Sequence, residues 1–217
     1  MTSMTKPQFI TFTGIDEKTD LFEAYDLAKR YPIEWGILYS PTQAGKKSRY
    51  PSTSLIMTAA KVLSTTSLHL CGKAARDQNN EQFIRQLYKK FNRVQINLRD
   101  NDYNVGHINK IGSIKTHVII QTRDSKKFPH DKYNSSSVDL LYDPSGGKGI
   151  ESSEYPSCIP SRLVGYAGGF SADNVKQFVD NPPSEKYWID MESNIRTDDW
   201  LDLKKCERIC ELVYRKN

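Results

Sequence analysis

Apolar and polar residues alternate in short runs along the whole chain, at 9–13, 34–39, 67–71, 93–98, 117–122, 138–142, 163–167 and 187–191, and this two-residue period predicts eight strands. Between several of them the period lengthens to that of a helix. Leu21, Ala24, Leu27 and Ala28 form one apolar stripe, Leu55, Ile56, Ala59, Ala60 and Leu63 a second, and Phe83, Ile84, Leu87, Tyr88 and Phe91 a third. Further on, Ser171 is placed to cap a helix carrying Val175, Phe178 and Val179, and Trp200, Leu203, Ile209, Cys210 and Val213 mark a closing helix. The gaps at 101–113, 125–137 and 151–160 hold few apolar positions, so short or irregular units are expected there. Alternating strands and helices require a parallel sheet. Spread over eight repeats, 217 residues give about 27 each, enough for one strand, one helix and two short loops. The expected fold is therefore α/β, a single (β/α)8 TIM barrel spanning residues 1–217, with a doubly wound open sheet as the alternative.

Parallel strands buried on both faces usually read as unbroken apolar runs, yet here one parity is polar. Leu68 and Leu70 alternate with His69 and Cys71, and Val94, Ile96 and Leu98 alternate with Gln95, Asn97 and Arg99. Gln121 shares a side with Arg123, Asp139 with Asp143, and Asp190 with Glu192. Helices clothe the outside of a barrel, so the apolar parity faces them and the polar parity faces the lumen. Polar groups gathered in a lumen need partners or solvent, as either a hydrated plug or an active-site mouth. Arg99, Arg123, Asp143 and Asp190 fall at carboxyl ends of strands, where barrel enzymes place their chemistry, and this favours the mouth.

Composition narrows the partners. The chain has 31 Lys+Arg against 26 Asp+Glu, a net charge of +5, without the basic block of a nucleic-acid-binding tail, so no nucleic-acid partner is expected. No run approaches the ~20 apolar residues of a membrane span, and the first residues show no basic start followed by an apolar core. We expect no membrane partner and a cytoplasmic location. Cys71, Cys158, Cys206 and Cys210 are too few for a disulfide scaffold and form no Cys-x-x-Cys pair. Cys158, Cys206 and Cys210 read as structural, the last two on one face of the closing helix.

Two glycine clusters follow late strands, Gly146-Gly147-Lys148-Gly149 and Gly168-Gly169. Barrels commonly bind phosphate with the loops after strands seven and eight, where glycine lets backbone N–H groups approach the anion. The other segments of note are Thr11-Phe12-Thr13-Gly14-Ile15, Tyr39-Ser40-Pro41 followed by Lys46-Lys47-Ser48-Arg49-Tyr50, and Leu141-Tyr142-Asp143 before the first glycine cluster. After them come Ala167-Gly168-Gly169-Phe170-Ser171-Ala172-Asp173-Asn174-Val175 and Ile189-Asp190-Met191-Glu192-Ser193-Asn194. In this order the five segments resemble phosphoribosylanthranilate isomerase, the barrel enzyme of tryptophan biosynthesis that rearranges an aminoaldose phosphate to an aminoketose. The likeness runs along most of the chain, with 98–137 matching by position only.

The resemblance implies an isomerase acting on a small phosphorylated sugar by general acid/base proton transfer, with no cofactor, as a monomer or homodimer. It implies that Gly168, Gly169 and Ser193, with Gly147 and Gly149 of the other cluster, bind phosphate, that Arg49 meets a substrate carboxylate, and that Asp143 is the general acid. The lumen parity adds Asn97, Arg99, Gln121, Arg123 and Asp190 as substrate-binding candidates. One departure bears on the chemistry. Thr13 stands where the family has the cysteine that serves as general base, and a threonine hydroxyl is no unaided base near neutral pH. Cys71, ending strand three on the lumen parity beside Gly72, is a candidate replacement, and Asp190 a second. Glu192 and Asn194 replace a serine and a glycine of the family, and Glu192 adds negative charge near the phosphate position.

Other chemistries fit less well. Lys73, Lys115 and Lys148 flank strands rather than sit within them, which argues against a Schiff-base aldolase. Asp16, Asp100, Asp124 and Asp143 could converge on a metal, but Arg99 and Arg123 beside them suit neutralisation better, so no metal is expected. No nucleophile elbow supports Ser-His-Asp hydrolysis. Two functional classes follow: a sugar-phosphate isomerase, favoured by the polar lumen and Asp143, and a phosphate-ligand-binding barrel that has lost the reaction, favoured by Thr13.

Overall fold

Eight parallel strands close on themselves in the computed structural model, which describes residues 5–76, 86–98, 108, 117–128, 137–146, 154–157 and 162–215. They are β1 (Ile10–Thr13), β2 (Ile33–Tyr39), β3 (Thr66–Leu70), β4 (Arg93–Ile96), β5 (His117–Thr122), β6 (Val138–Tyr142), β7 (Val164–Tyr166) and β8 (Tyr187–Met191). Each pairs with the next in sequence, and β8 closes on β1 with Ile189 beside Ile10. The fold is the (β/α)8 barrel that the alternation predicts, not an open sheet. The alternation also sorts the side chains. Ile10, Phe12, Trp35, Ile37, Leu68, Leu70, Val94, Ile96, Val118 and Ile120 belong to the main core between strands and helices. Their polar neighbours Thr11, Thr13, Glu34, Ser67, His69, Arg93 and Gln95 are buried on the other parity, inside the barrel.

The helices begin where the sequence supplies caps. Asp20 accepts from Phe22 N and Glu23 N at the start of α1 (Leu21–Arg30), and Ser52 accepts from Leu55 N at the start of α2 (Thr53–Val62). α1 buries Ala24 and Leu27 and stops at Tyr31, where the following Pro32 disfavours helical backbone. A short α3 (Lys73–Arg76) follows β3. Phe83 and Ile84 of the third predicted stripe lie outside the described residues, whereas its Leu87, Tyr88 and Phe91 are buried.

Two helix starts are corrected. Asn174, not Ser171, directly precedes α4 (Val175–Asp180). Ser171 instead heads a turn in which its N–H donates to Asn174 Oδ1 at 2.8 Å and its hydroxyl accepts from Asp173 N at 3.2 Å. Trp200 belongs to a small antiparallel hairpin, β9 (Arg196–Thr197) with β10 (Trp200–Leu201), turned by Asp198 and Asp199 at φ 50° and 61°. The closing helix α5 (Leu203–Tyr214) starts only after Asp202, which accepts from Lys204 N and Lys205 N. Cys206 and Cys210 are buried on its inner face, as expected; Cys158 lies outside the described residues.

The lumen has two characters. Toward β5–β8 its middle layer is apolar, with Ile119, Leu141, Ala167 and Trp188 packed together and Phe9 stacked on Trp188, while Asp139 lies below this layer and Gln121 and Asp190 above it. Glycine makes room for the large ring, since a Cβ on Gly165 would collide with the Trp188 indole. Toward β1–β4 the lumen is polar, and at its amino-terminal end Arg93 donates to both oxygens of Glu34 at 2.7 Å and to Asp139 Oδ2 at 3.2 Å. The same guanidinium lies 4.3 Å from the Trp188 ring and 4.8 Å from Phe9. This end of the barrel is therefore filled by satisfied side chains.

Candidate active site

The opposite end, at the carboxyl termini of the strands, holds a cavity. Its wall includes His69, Gln95 and Asn97 on one side, Asp143 and Ser145 after β6, Gly168, Gly169 and Phe170 after β7, and Asp190, Glu192, Ser193 and Asn194 from β8 onward. Barrel geometry puts these side chains together because β4, β6, β7 and β8 all end here. Of the residues expected from sequence, Asn97, Asp143, Gly168, Gly169, Asp190 and Ser193 line the cavity. Arg99, Gly147 and Gly149 lie outside the described residues.

Asp190 sits at the centre of the electrostatics. Burial pushes its carboxyl up to about 8; the Thr13 hydroxyl, which donates to Asp190 Oδ1 at 2.7 Å, opposes this, and the neighbouring Glu192, Asp143 and Glu34 reinforce it. Thr13 fits beneath because the facing residue on β2 is Gly36, where a Cβ would overlap the threonine hydroxyl. Glu192 is also held above the usual carboxylate range by burial, which outweighs its ion pair with Arg49.

Asp143 has a different setting. Its Oδ1 accepts from Ser145 N, Ser145 Oγ and Gly146 N at 3.1, 2.8 and 3.0 Å, and its Oδ2 accepts from Gln121 Nε2 at 2.7 Å. It caps the turn after β6 while facing the cavity, and Gln121 acts on the site through it. Arg123 lies over the same turn, where its guanidinium occupies the space a Cβ on Gly146 would need. Arg49 stands at the rim, donating to Glu192 Oε1 at 3.0 Å, to Asp199 Oδ1 at 2.9 Å and to Ser193 Oγ at 3.4 Å. Asp199 also accepts from the Ser48 hydroxyl.

The Cys71 thiol is enclosed by Tyr50, Asn97 and the His69 carbonyl, and burial pushes it up to about 11. At neutral pH it is a thiol, not a thiolate. His69 is driven down to about 4 by burial and is neutral, with Nε2 3.0 Å from Ser67 Oγ. Of the acidic residues considered for a metal, Asp100 lies outside the described residues, Asp16 binds Arg196 and Leu201 N, and Asp124 caps the 3-10 turn Ser125–Lys127; among the described residues no acidic, histidine or cysteine cluster could hold a metal ion.

The glycine turn after β7 is held through its carbonyls. Tyr155 Oη donates to the Gly168 carbonyl at 3.0 Å, and Asn174 and Asn194 donate to the Gly169 carbonyl at 3.1 and 2.9 Å. These bonds engage the carbonyl side of the two peptides whose N–H groups belong to Gly169 and Phe170. Gly168 and Gly169 reach this shape with φ 118° and 68°. Sequence reasoning placed His69 and Gln95 on the lumen parity without naming them as site residues, and did not single out Ser145 as a lining residue. For the first two the signal was present, since Gln95 shares its parity with Asn97 and His69 with Cys71.

No protein-family model matches the chain, and no curated protein matches it in sequence. Among the described residues no helix is long and apolar enough to cross a membrane. Solved structures do resemble it. Phosphoribosyl anthranilate isomerase from Thermus thermophilus superposes with a TM-score of 0.63 at 15% identity, covering 94% of this chain and 96% of its own. N-(5'-phosphoribosyl)anthranilate isomerase from Pyrococcus furiosus gives 0.63 at 14% identity, covering 95% and 98%. A mutant tryptophan synthase α-subunit from Pyrococcus furiosus gives 0.59 at 13% identity, covering 97% and 99%. At these identities the likeness is one of fold: over nearly its whole length the chain has the barrel architecture of phosphoribosylanthranilate isomerases, which other barrel enzymes share.

Proposed function

We propose that the chain is a phosphoribosylanthranilate isomerase-like enzyme acting on a small phosphorylated sugar, by an Amadori-type aldose–ketose isomerisation or a closely related proton transfer. The observation that carries this reading is the Thr13–Asp190 hydrogen bond in the mouth of the barrel. A buried carboxyl that keeps its proton up to about pH 8 is an acid near neutrality, and once it has given the proton away it is a base. Asp190 protonates the ring oxygen as the C1–O bond opens to an iminium. Its carboxylate then takes the C2 proton, which forms the enolamine and restores the acid; the ketone follows by tautomerisation. Thr13 holds one carboxyl oxygen so that the other faces the sugar, and Asp143 shapes the opposite wall. The Gly169 and Phe170 N–H groups, with Ser193, are suited to a phosphate.

Steady-state turnover of phosphoribosylanthranilate and of simpler aminoaldose phosphates tests the reading. Asp190→Asn is expected to lose ~10² to 10⁴ in kcat while phosphate still binds; unchanged turnover would overturn it. The engagement of Arg49 by Glu192 and Asp199 favours a second reading, a barrel that binds a phosphorylated ligand without converting it. Tight binding with no turnover by the natural sequence would support that alternative.

A further inference from the structure

In the described wall of the cavity one fully buried side-chain polar atom has no partner. Gln95 is only 4% exposed, and its carbonyl oxygen is buried without a hydrogen bond. The chain of bonds beside it fixes which end of the amide is left over. Cys71 keeps its proton and donates to the His69 carbonyl at 3.7 Å, so its sulfur accepts from Asn97 Nδ2 at 3.3 Å. Asn97 therefore turns its oxygen to Gln95, which gives it the Nε2 hydrogen at 2.9 Å and is left with Oε1 unsatisfied. A buried acceptor of this kind calls for a donor from a ligand.

The charge around it points the same way. Asp143 and Glu192 line the cavity beside Asp190, whose carboxyl keeps its proton, and among the described lining residues there is no lysine or arginine. His69, the remaining titratable group in the wall, is neutral. Arg49, a cation at the described rim, is engaged by Glu192 and Asp199. A hydroxyl would answer the orphan acceptor but not the carboxylates; an ammonium group answers both.

We propose that this mouth selects a sugar phosphate bearing a primary amine, whose N–H is received by Gln95 Oε1 while the carboxylates of the same cavity compensate its charge. The proposal rests on reading the mouth as a sugar-phosphate site and adds the class of sugar.

Calorimetric titration of the purified protein at pH 7 with glucosamine, glucose and the 6-phosphate of each separates the two statements. The amine member of each pair is expected to bind at least ~10-fold more tightly. Gln95→Leu and, independently, Glu192→Gln should shrink that ratio several-fold; the ratio is the readout, since both residues line the cavity and either change can alter the affinity for both members of a pair together. Equal affinities within each pair overturn the amine proposal, and a phosphate preference seen at the same time leaves the sugar-phosphate reading standing. A preference for amine without one for phosphate upholds the role of Gln95 and removes the phosphate. Failure of all four probes to bind overturns both. Should Gln95→Leu fold poorly, the ratio in the natural protein and in Glu192→Gln still decides.

Discussion

Replacing Asp190 by asparagine should make this protein more stable, and increasingly so as the pH rises. In the unfolded chain an aspartate ionises near 3.8, whereas in the barrel the carboxyl holds its proton to about 8. Between these values the unfolded state ionises and the native state does not, so each pH unit costs native stability; below about 4 and above about 8 the difference is constant. A gap of about 4 units, at ~1.4 kcal/mol each, sets a ceiling of about 6 kcal/mol on the loss at high pH. Relaxation and water entry into the mouth reduce such penalties to several kcal/mol, and we expect ~2 to 4 kcal/mol. Asparagine keeps an oxygen to accept from Thr13 and does not ionise, so it escapes the penalty. For a chain of this size that is a gain of ~5 to 15 °C in Tm above pH 8. Urea and thermal unfolding of both proteins at pH 5, 7 and 9 check this. The difference between them should be small at pH 5 and largest at pH 9. A difference that does not grow between pH 5 and 9, or a variant less stable than the parent at pH 9, would show that the Asp190 carboxyl is not held above its unfolded value and is no acid at neutrality.

Arg93→Met should lower stability by ~3 to 5 kcal/mol in urea unfolding, because it leaves Glu34 and Asp139 buried without their cation; a loss below ~1 kcal/mol would mean that water already screens the pair. Gly165→Ala should cost ~1 to 3 kcal/mol and shift tryptophan fluorescence, since the methyl group meets the Trp188 indole; an unshifted spectrum would contradict that packing. Asp143→Asn keeps an oxygen for the turn and is expected to lower turnover less than ~10-fold; a loss equal to that of Asp190→Asn would restore Asp143 as the acid. With its thiol held near 11, Cys71 should react with iodoacetamide at pH 7.5 ~10²-fold more slowly than a free cysteine model, and Cys71→Ser should retain turnover; rapid alkylation would reopen Cys71 as a base.

The barrel was readable because its strands present two chemically different faces, and alternation marks each strand and its inward side. The same parity placed Thr13, Asn97, Asp143 and Asp190 at one mouth. What parity does not carry is the stagger of one strand against another. Thr11 lies beside Asp190 in the register of β1 and β8, which is why Asp190 reaches Thr13 one step on. Glu34 shares its side with Gly36 and Leu38, so the β2 lumen face looked apolar and its ion pair with Arg93 stayed hidden. Arg49 reads as a cation waiting for a substrate carboxylate until Asp199 is in place. That partner comes from a hairpin whose Trp200 has the spacing of a helix start.

The amino-terminal ion cluster also bears on how the barrel can assemble. Arg93 belongs to β4, while its two carboxylate partners come from β2 and β6, so none of the three is on a neighbouring strand. A growing sheet that has reached β4 can give the guanidinium only Glu34; Asp139 arrives once β6 has docked, and the Trp188 ring once β8 has closed the circle. Half of this barrel is thus electrostatically unfinished, and a strand slipped by two residues would move a charge out of the layer that neutralises it. Assembly should be all-or-none across the strands, with separate half-barrel fragments complementing each other in trans rather than folding alone.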